Sequence, residues 1–141
     1  MIVLSVMSFG LAACGDKSVN AKRVDNQEDV TSAIGVNGFL WRASLDTMAE
    51  LPILQVDSAG GVILTDWFVN PDAPTERLRV SIFILDRTLR ADALRVNVVR
   101  QELTDGIWVN ATVRAGTQLK IEDAVLARAR ELRISAIEED E

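Results

Sequence analysis

A single thiol, at Cys14, and the complete absence of histidine from 141 residues decide most of the chemistry open to this chain. A Ser–His or Cys–His nucleophile, a His-liganded metal site and a disulfide within the chain are all excluded. The pair Gly60-Gly61 lacks the following lysine and helix of a phosphate-binding loop, so it reads as a hairpin turn. A Ser–Lys dyad would have to use Lys120, which sits at a helix start facing water. Asp57 and Asp66 flank a short β-pattern and would matter as an acid–base pair if they met across the hairpin. The plainer reading makes one a turn residue and the other a strand-edge residue. No catalytic residue, metal or cofactor is assigned, and an enzyme is not expected.

Binding is the better question. Trp41-Arg42 and Asp66-Trp67 each set an aromatic beside a charge, a composition enriched where proteins meet partners. The competing and preferred reading is that both tryptophans fill the core, with Arg42 and Asp66 as satisfied neighbours. A second candidate surface joins Arg77, Arg79, Arg95 and Asn97 with Phe83 along two strand patterns. If left uncovered, such a mixture of cations and apolar groups suits a protein partner, an anionic lipid or a polysaccharide. The alternative is a solvated outer face with surface arginines. Between residues 36 and 134 there are 13 acidic and 12 basic residues, and the net charge of -6 is concentrated towards the ends. A near-neutral body with an acidic tail has no basic field for phosphates, which argues against a nucleic-acid partner.

The elements that must position these groups follow from periodicity. Leu40, Ala43 or Ser44, Met48 and Leu51 recur at three and four residues, predicting an amphipathic helix over 39–51 that Pro52 ends. Arg42 and Asp46 stand one turn apart and can pair. A short strand over 53–56, a turn at 57–61 and a β-rich run over 62–69 come next, then a rigid loop around Pro71 and Pro74. Over 77–85 one face carries Leu78, Val80, Ile82 and Ile84, and the other Arg77, Arg79, Ser81, Phe83 and Leu85. Over 94–103 one face carries Leu94, Val96 and Val98, and the other Arg95, Asn97, Val99 and Gln101. This alternation predicts antiparallel strands with one covered face. The connection 86–93 includes Leu89, which is expected to pack back. Thr104-Asp105-Gly106 is a tight turn into a fifth strand over 107–113. A last helix is capped by Thr117, with Ile121, Val125, Ala129 and Leu132 as its apolar stripe and Arg128, Arg130 and Arg133 near its end. The predicted fold is an α+β two-layer sandwich, an antiparallel sheet of about five strands with two helices packed on one face.

Residues 1–9 are apolar apart from two serines, near the length of an export-signal core, and Leu11-Ala12-Ala13-Cys14 follows. This run resembles the lipobox of bacterial lipoproteins. The resemblance implies that the Cys14 sulfur accepts a diacylglycerol and that cleavage leaves Cys14 as the new N-terminus. Two or three acyl chains there give stable anchoring, which one chain does not. The competing reading is a buried terminal helix with Cys14 as a small core residue, and the polar run from Asp16 to Arg23 argues against it. The expected organisation is a signal peptide over 1–13, a flexible tether over 14–33, the domain over 34–137 and an acidic tail over 138–141. No Lys or Arg precedes Lys17, so the true start is expected upstream, with basic residues. By the enteric sorting rule, Gly15 after the cysteine leans towards the outer membrane, with the inner membrane as the alternative, facing the periplasm.

Three stretches carry a family resemblance: Gly35-Val36-Asn37-Gly38-Phe39-Leu40-Trp41-Arg42-Ala43-Ser44-Leu45-Asp46, Gly60-Gly61-Val62-Ile63-Leu64-Thr65-Asp66-Trp67 and Ile84-Leu85-Asp86-Arg87-Thr88-Leu89-Arg90-Ala91-Asp92-Ala93-Leu94-Arg95-Val96. They look like a family of alphaproteobacterial lipoproteins with an uncharacterised domain, over about residues 34–134. The resemblance implies an envelope location and no established activity. The layout is also loosely similar to the helix-grip domains of lipoproteins accessory to outer-membrane assembly, an analogy of element order. The expectation is a lipoprotein held to a membrane by its N-terminal lipid, a non-catalytic adaptor for an envelope protein partner. A carrier of an apolar ligand between sheet and helices is the alternative, and a carboxylate-based hydrolase a weak third.

Overall fold

The structure, a computed structural model, describes residues 35–139. The expected export segment 1–13, Cys14 with the tether 14–33, and residues 140–141 of the acidic tail lie outside the described residues.

Asn37 sets the start of helix α1 (Gly38–Thr47). Its side-chain oxygen accepts the Leu40 N–H at 2.9 Å, and its amide nitrogen donates to the Arg87 carbonyl at 2.9 Å. One side chain thus satisfies an N–H that helix geometry leaves over and ties the helix to the distant 86–93 connection. The helix ends at Thr47, four residues short of the predicted end. Pro52 disfavours helical backbone at Leu51, and the chain leaves through a turn in which the Leu51 N–H donates to the Met48 carbonyl at 2.9 Å.

Six strands follow: β1 (Ile53–Asp57), β2 (Val62–Thr65), β3 (Phe68–Val69), β4 (Glu76–Ile84), β5 (Leu94–Thr104) and β6 (Ile107–Ala111). They form one antiparallel sheet in the order β1-β2-β4-β5-β6, with β3 also on β4. The expected run over 62–69 is therefore two strands. β2 pairs with residues 81–83 of β4 and β3 with 77–78, and the chain steps out of register at Asp66-Trp67. Thr65 closes the gap. Its buried hydroxyl accepts the Val80 N–H at 2.9 Å and donates to the Val80 carbonyl at 3.2 Å, where ladder bonds would have stood.

The last helix, α2, spans Thr117–Glu139 and carries the first two residues of the expected acidic tail. Thr117 does not cap it: its hydroxyl donates back to the Arg114 carbonyl at 2.8 Å. Arg128, Arg130 and Arg133 are mid-helix rather than terminal, because the helix continues past them. Both helices pack on one face of the sheet, as expected. That face supplies Ile63, Val80, Ile82, Ile84, Leu94, Val96 and Val98, which meet Leu40, Ala43, Val125, Leu126 and Ala129, all buried. Leu89 packs against this core from the 86–93 connection. The fold is α+β, two helices on an open antiparallel sheet.

Asp46 joins the helices. Its carboxylate accepts from Arg42 at 3.2 Å within α1, as the spacing predicted, and from Arg128 of α2 at 3.1 Å. Burial alone would push this carboxyl up, but the hydrogen bonds from Arg128 and then Arg42 outweigh it and hold it below its ordinary 3.8. A depressed carboxyl contributes stability that is full above the ordinary value and is lost as pH falls through the folded one. Asp46→Asn is expected to be less stable than wild type near neutrality, the difference shrinking as pH falls below the ordinary carboxyl value of 3.8 and through the lower folded one. Urea midpoints across that range check this, and a difference that persists in acid would contradict it.

Candidate interaction face

The sheet face opposite the helices is built by strand alternation. Register sets Arg77 beside Gln101, Arg79 beside Val99, Ser81 beside Asn97 and Phe83 beside Arg95. The β5–β6 hairpin adds Trp108 beside Leu103 and Asn110 beside Gln101. No described helix covers this face. Arg95 and Asn97 are exposed, whereas Arg77, Arg79 and Phe83 are half-buried by one another and their neighbours.

At its centre the Arg77 guanidinium stacks on two indoles, 4.4 Å from the Trp67 ring centre and 4.4 Å from that of Trp108. Arg79 also lies over Trp67, at 5.0 Å. Each such contact contributes about 0.5–1 kcal/mol at an exposed site and more once water is displaced. Gln101 holds the plane of Arg77, its side-chain oxygen accepting from Nε at 2.9 Å and Nη2 at 2.6 Å. The Gln101 amide then donates to Asn110 at 2.8 Å. The kink at Asp66 serves this arrangement: its carboxylate accepts the Trp67 N–H at 2.7 Å, and the break in register turns Trp67 onto the arginine side.

Charge distinguishes the two faces. On the helix side Arg100 meets Glu76 at 2.8 Å and also Glu102, and Arg114 reaches Glu76 at 3.3 Å. The Arg100 hydrogen bond holds the Glu76 carboxyl below its ordinary value against a partial desolvation that would raise it. One residue along each strand, on the open side, Arg77 has only the neutral amide of Gln101. Among the described residues neither Arg77, Arg79 nor Arg95 makes an ion pair.

Of the residues singled out in the sequence, the structure gathers Trp67, Arg77, Arg79, Phe83, Arg95 and Asn97 on one face. Asp66 stands at its border. Trp41 packs against the core and Arg42 pairs with Asp46, both on α1 and away from this face, so the core reading holds for Trp41 and fails for Trp67. Asp57 and Asp66 do not form a carboxylate pair. Asp57 accepts the Ala59 and Gly60 N–H groups at the hairpin turn, while the Asp66 backbone N–H donates to Pro52 at the other end. An open cleft of about 370 Å³ lies at the surface, lined by Asn37, Phe39, Arg87, Thr88, Leu89 and Arg133. It lies outside the sheet–helix interval, whose Leu40, Ile63, Val80, Ile82, Ile84 and Val125 side chains are fully buried. Trp108 and Asn110 were missed, and Gln101 was read onto this face without being singled out. Counting back from the two-residue turn at Asp105-Gly106 pairs Thr104 with Ile107 and brings Trp108 to the arginine face.

The fold and face define a two-layer α+β domain with both helices on one sheet side and, on the other, stacked indoles and arginines that make no ion pair among the described residues. Residues 34–134 match the family described as "Domain of unknown function (DUF3576)", and the chain belongs to it. It is also similar to the "Uncharacterized protein RP420" of Rickettsia prowazekii (strain Madrid E). The two are 33% identical over 117 residues, 82% of this chain and 69% of that protein. The family match agrees with the resemblance to an uncharacterised domain over about residues 34–134, and the Rickettsia relative agrees with its alphaproteobacterial source. Among the described residues no helix is long and apolar enough to cross a membrane.

Proposed function

We propose that this chain is a lipid-anchored envelope lipoprotein whose domain is a non-catalytic adaptor in envelope or outer-membrane assembly, holding an acidic segment of a protein partner on its open sheet face. The observation that carries the reading is the Trp67–Arg77–Trp108 stack with Arg79 beside it, a rigid aromatic surface bearing cations that no described carboxylate neutralises. Aromatic and arginine side chains dominate binding energy where partners meet, and unopposed charge steers an oppositely charged partner into place. The anchor is the Cys14 sulfur, supported by the Leu11-Ala12-Ala13-Cys14 run before a polar stretch.

One experiment tests both halves. Cells fed labelled palmitate express wild type, Cys14→Ser, Arg79→Glu and Arg130→Glu, and membranes are solubilised and the tagged protein recovered. Label is expected in all but Cys14→Ser. A co-purifying protein is expected to fall roughly tenfold or more with Arg79→Glu and to stay level with Arg130→Glu, whose charge lies on α2. Unlabelled wild-type protein would sink the anchor, and equal recovery with both arginine variants would sink the adaptor face.

A further inference from the structure

We infer that strand β6 is a self-pairing edge, at which two copies of this chain join their sheets about a twofold axis through Val109. The sheet has free edges that differ in how they are guarded. β1 is preceded by Pro52 and is irregular between Ile53 and Gln55, where Leu54 falls out of register. β5 extends beyond β6, which pairs only with its residues 100–104, and there α2 covers the free edge: Glu122 accepts the Val96 N–H at 3.0 Å. Proline, irregular register and covering groups are the devices by which proteins keep strand edges from pairing. Among the described residues β6, Ile-Trp-Val-Asn-Ala, has none. It holds no proline and no charge, and its register with β5 is unbroken.

The main-chain pattern fixes which groups are free. Asp105 at φ 51° and Gly106 at φ 80° make a two-residue turn with both central residues left-handed, so the flanking Thr104 and Ile107 exchange hydrogen bonds. Bonding alternates from there. Ile107, Val109 and Ala111 bond to β5, while the N–H and C=O of Trp108 and Asn110 point outward.

Antiparallel pairing of β6 with itself has one register that uses all four outward groups. With Val109 opposite Val109 of the second copy, Trp108 exchanges both bonds with Asn110 of that copy, and Asn110 does the same with its Trp108. Side chains agree with this register. On the helix side Ile107 meets Ala111 and Val109 meets itself, covering Ile107 and Val109, now 68% and 49% exposed. On the open side Trp108 meets Asn110 and continues the Arg77–Gln101–Asn110 chain across the join. No charge faces its own copy, which an isologous contact requires. The dimer would carry two aromatic–arginine stacks on one continuous face.

Cysteine cross-linking tests the register. Cys14 is the one native thiol, so the full chain with Cys14→Ser in mild detergent is a clean background in which acyl chains play no part. In the proposed register the Val109 Cα atoms of the two copies lie about 4.5 Å apart, within disulfide reach. Ile107 is offset from its own copy by four residues, about 13 Å. Under mild oxidation Val109→Cys is expected to convert mostly to a covalent dimer and Ile107→Cys to remain monomeric. Sedimentation of the Cys14→Ser chain is expected to give a dimer that Val109→Lys returns to monomer. Equal cross-linking at 107 and 109, no cross-link at 109, or a wild-type monomer at on the order of 100 µM would each overturn the proposal. So would a dimer that Val109→Lys leaves intact. Val109 points to the helix side, so these outcomes leave the Arg79 test of the open face untouched.

Discussion

Gly61→Ala is expected to lower the melting temperature by roughly 10–20 °C. Gly61 holds φ at +69°, where an L side chain is strained by about 1–2 kcal/mol. A methyl group there would also press on the Ile84 carbonyl oxygen and come within 2.7 Å of Val36 Cγ1. Neither neighbour can retreat easily. Ile84 is a fully buried strand end whose N–H donates to the Gly61 carbonyl at 2.8 Å, and Val36 is a buried residue at the threshold of α1. Strain and overpacking together come to about 3 kcal/mol, a large share of the stability of a small domain. Gly106→Ala is the matched control, because its φ is +80° and nothing lies within 4 Å of the added carbon. It is expected to lose only the conformational part, about 1 kcal/mol. Thermal unfolding followed by circular dichroism separates the two. Equal losses would show that the close approach at Gly61 contributes nothing.

Thr65→Val is expected to destabilise by about 2 kcal/mol although it keeps the shape of the side chain. The hydroxyl is the partner of both the Val80 N–H and the Val80 carbonyl, in the middle of the longest strand pairing and out of reach of water. Without it, two buried main-chain groups lose their bonds just where β2 has ended and β3 has not begun. Thr65→Ser keeps the oxygen and gives up one methyl, so it is expected to stay within about 1 kcal/mol of wild type. Chemical unfolding of the three proteins is the measurement. A valine variant as stable as wild type would mean that the ladder heals without the hydroxyl.

These two positions mark where the sequence was legible and where it was not. Alternation along β4 and β5 is a period-two signal backed by valine and isoleucine, so the covered face, the open face and their pairing could be read residue by residue. The break at Asp66-Trp67 could not. It is made by a side chain replacing a backbone partner across 15 residues, and no local pattern announces that. For the same reason Trp67 looked like core: an unbroken strand from 62 to 69 would have hidden the turn that swings it outward. The helix ends were misjudged because apolar spacing outlasts the helix before Pro52, whereas in α2 the helix outlasts its apolar stripe. Of the site, the arginines were visible as one face. Their indole neighbours were not, since Trp67, Arg77 and Trp108 are brought together only by three separate strand pairings.

The placement of the indoles gives the domain its own optical readout. Trp67 and Trp108 sandwich a cation on the open side, whereas Trp41 rests against the interior between the layers. Occupancy of the open side would change emission from the first two while leaving the third unaltered. Loss of the native state would change all three at once. Single-tryptophan proteins therefore distinguish a molecule whose open face is occupied from one that has simply come apart, without any added dye.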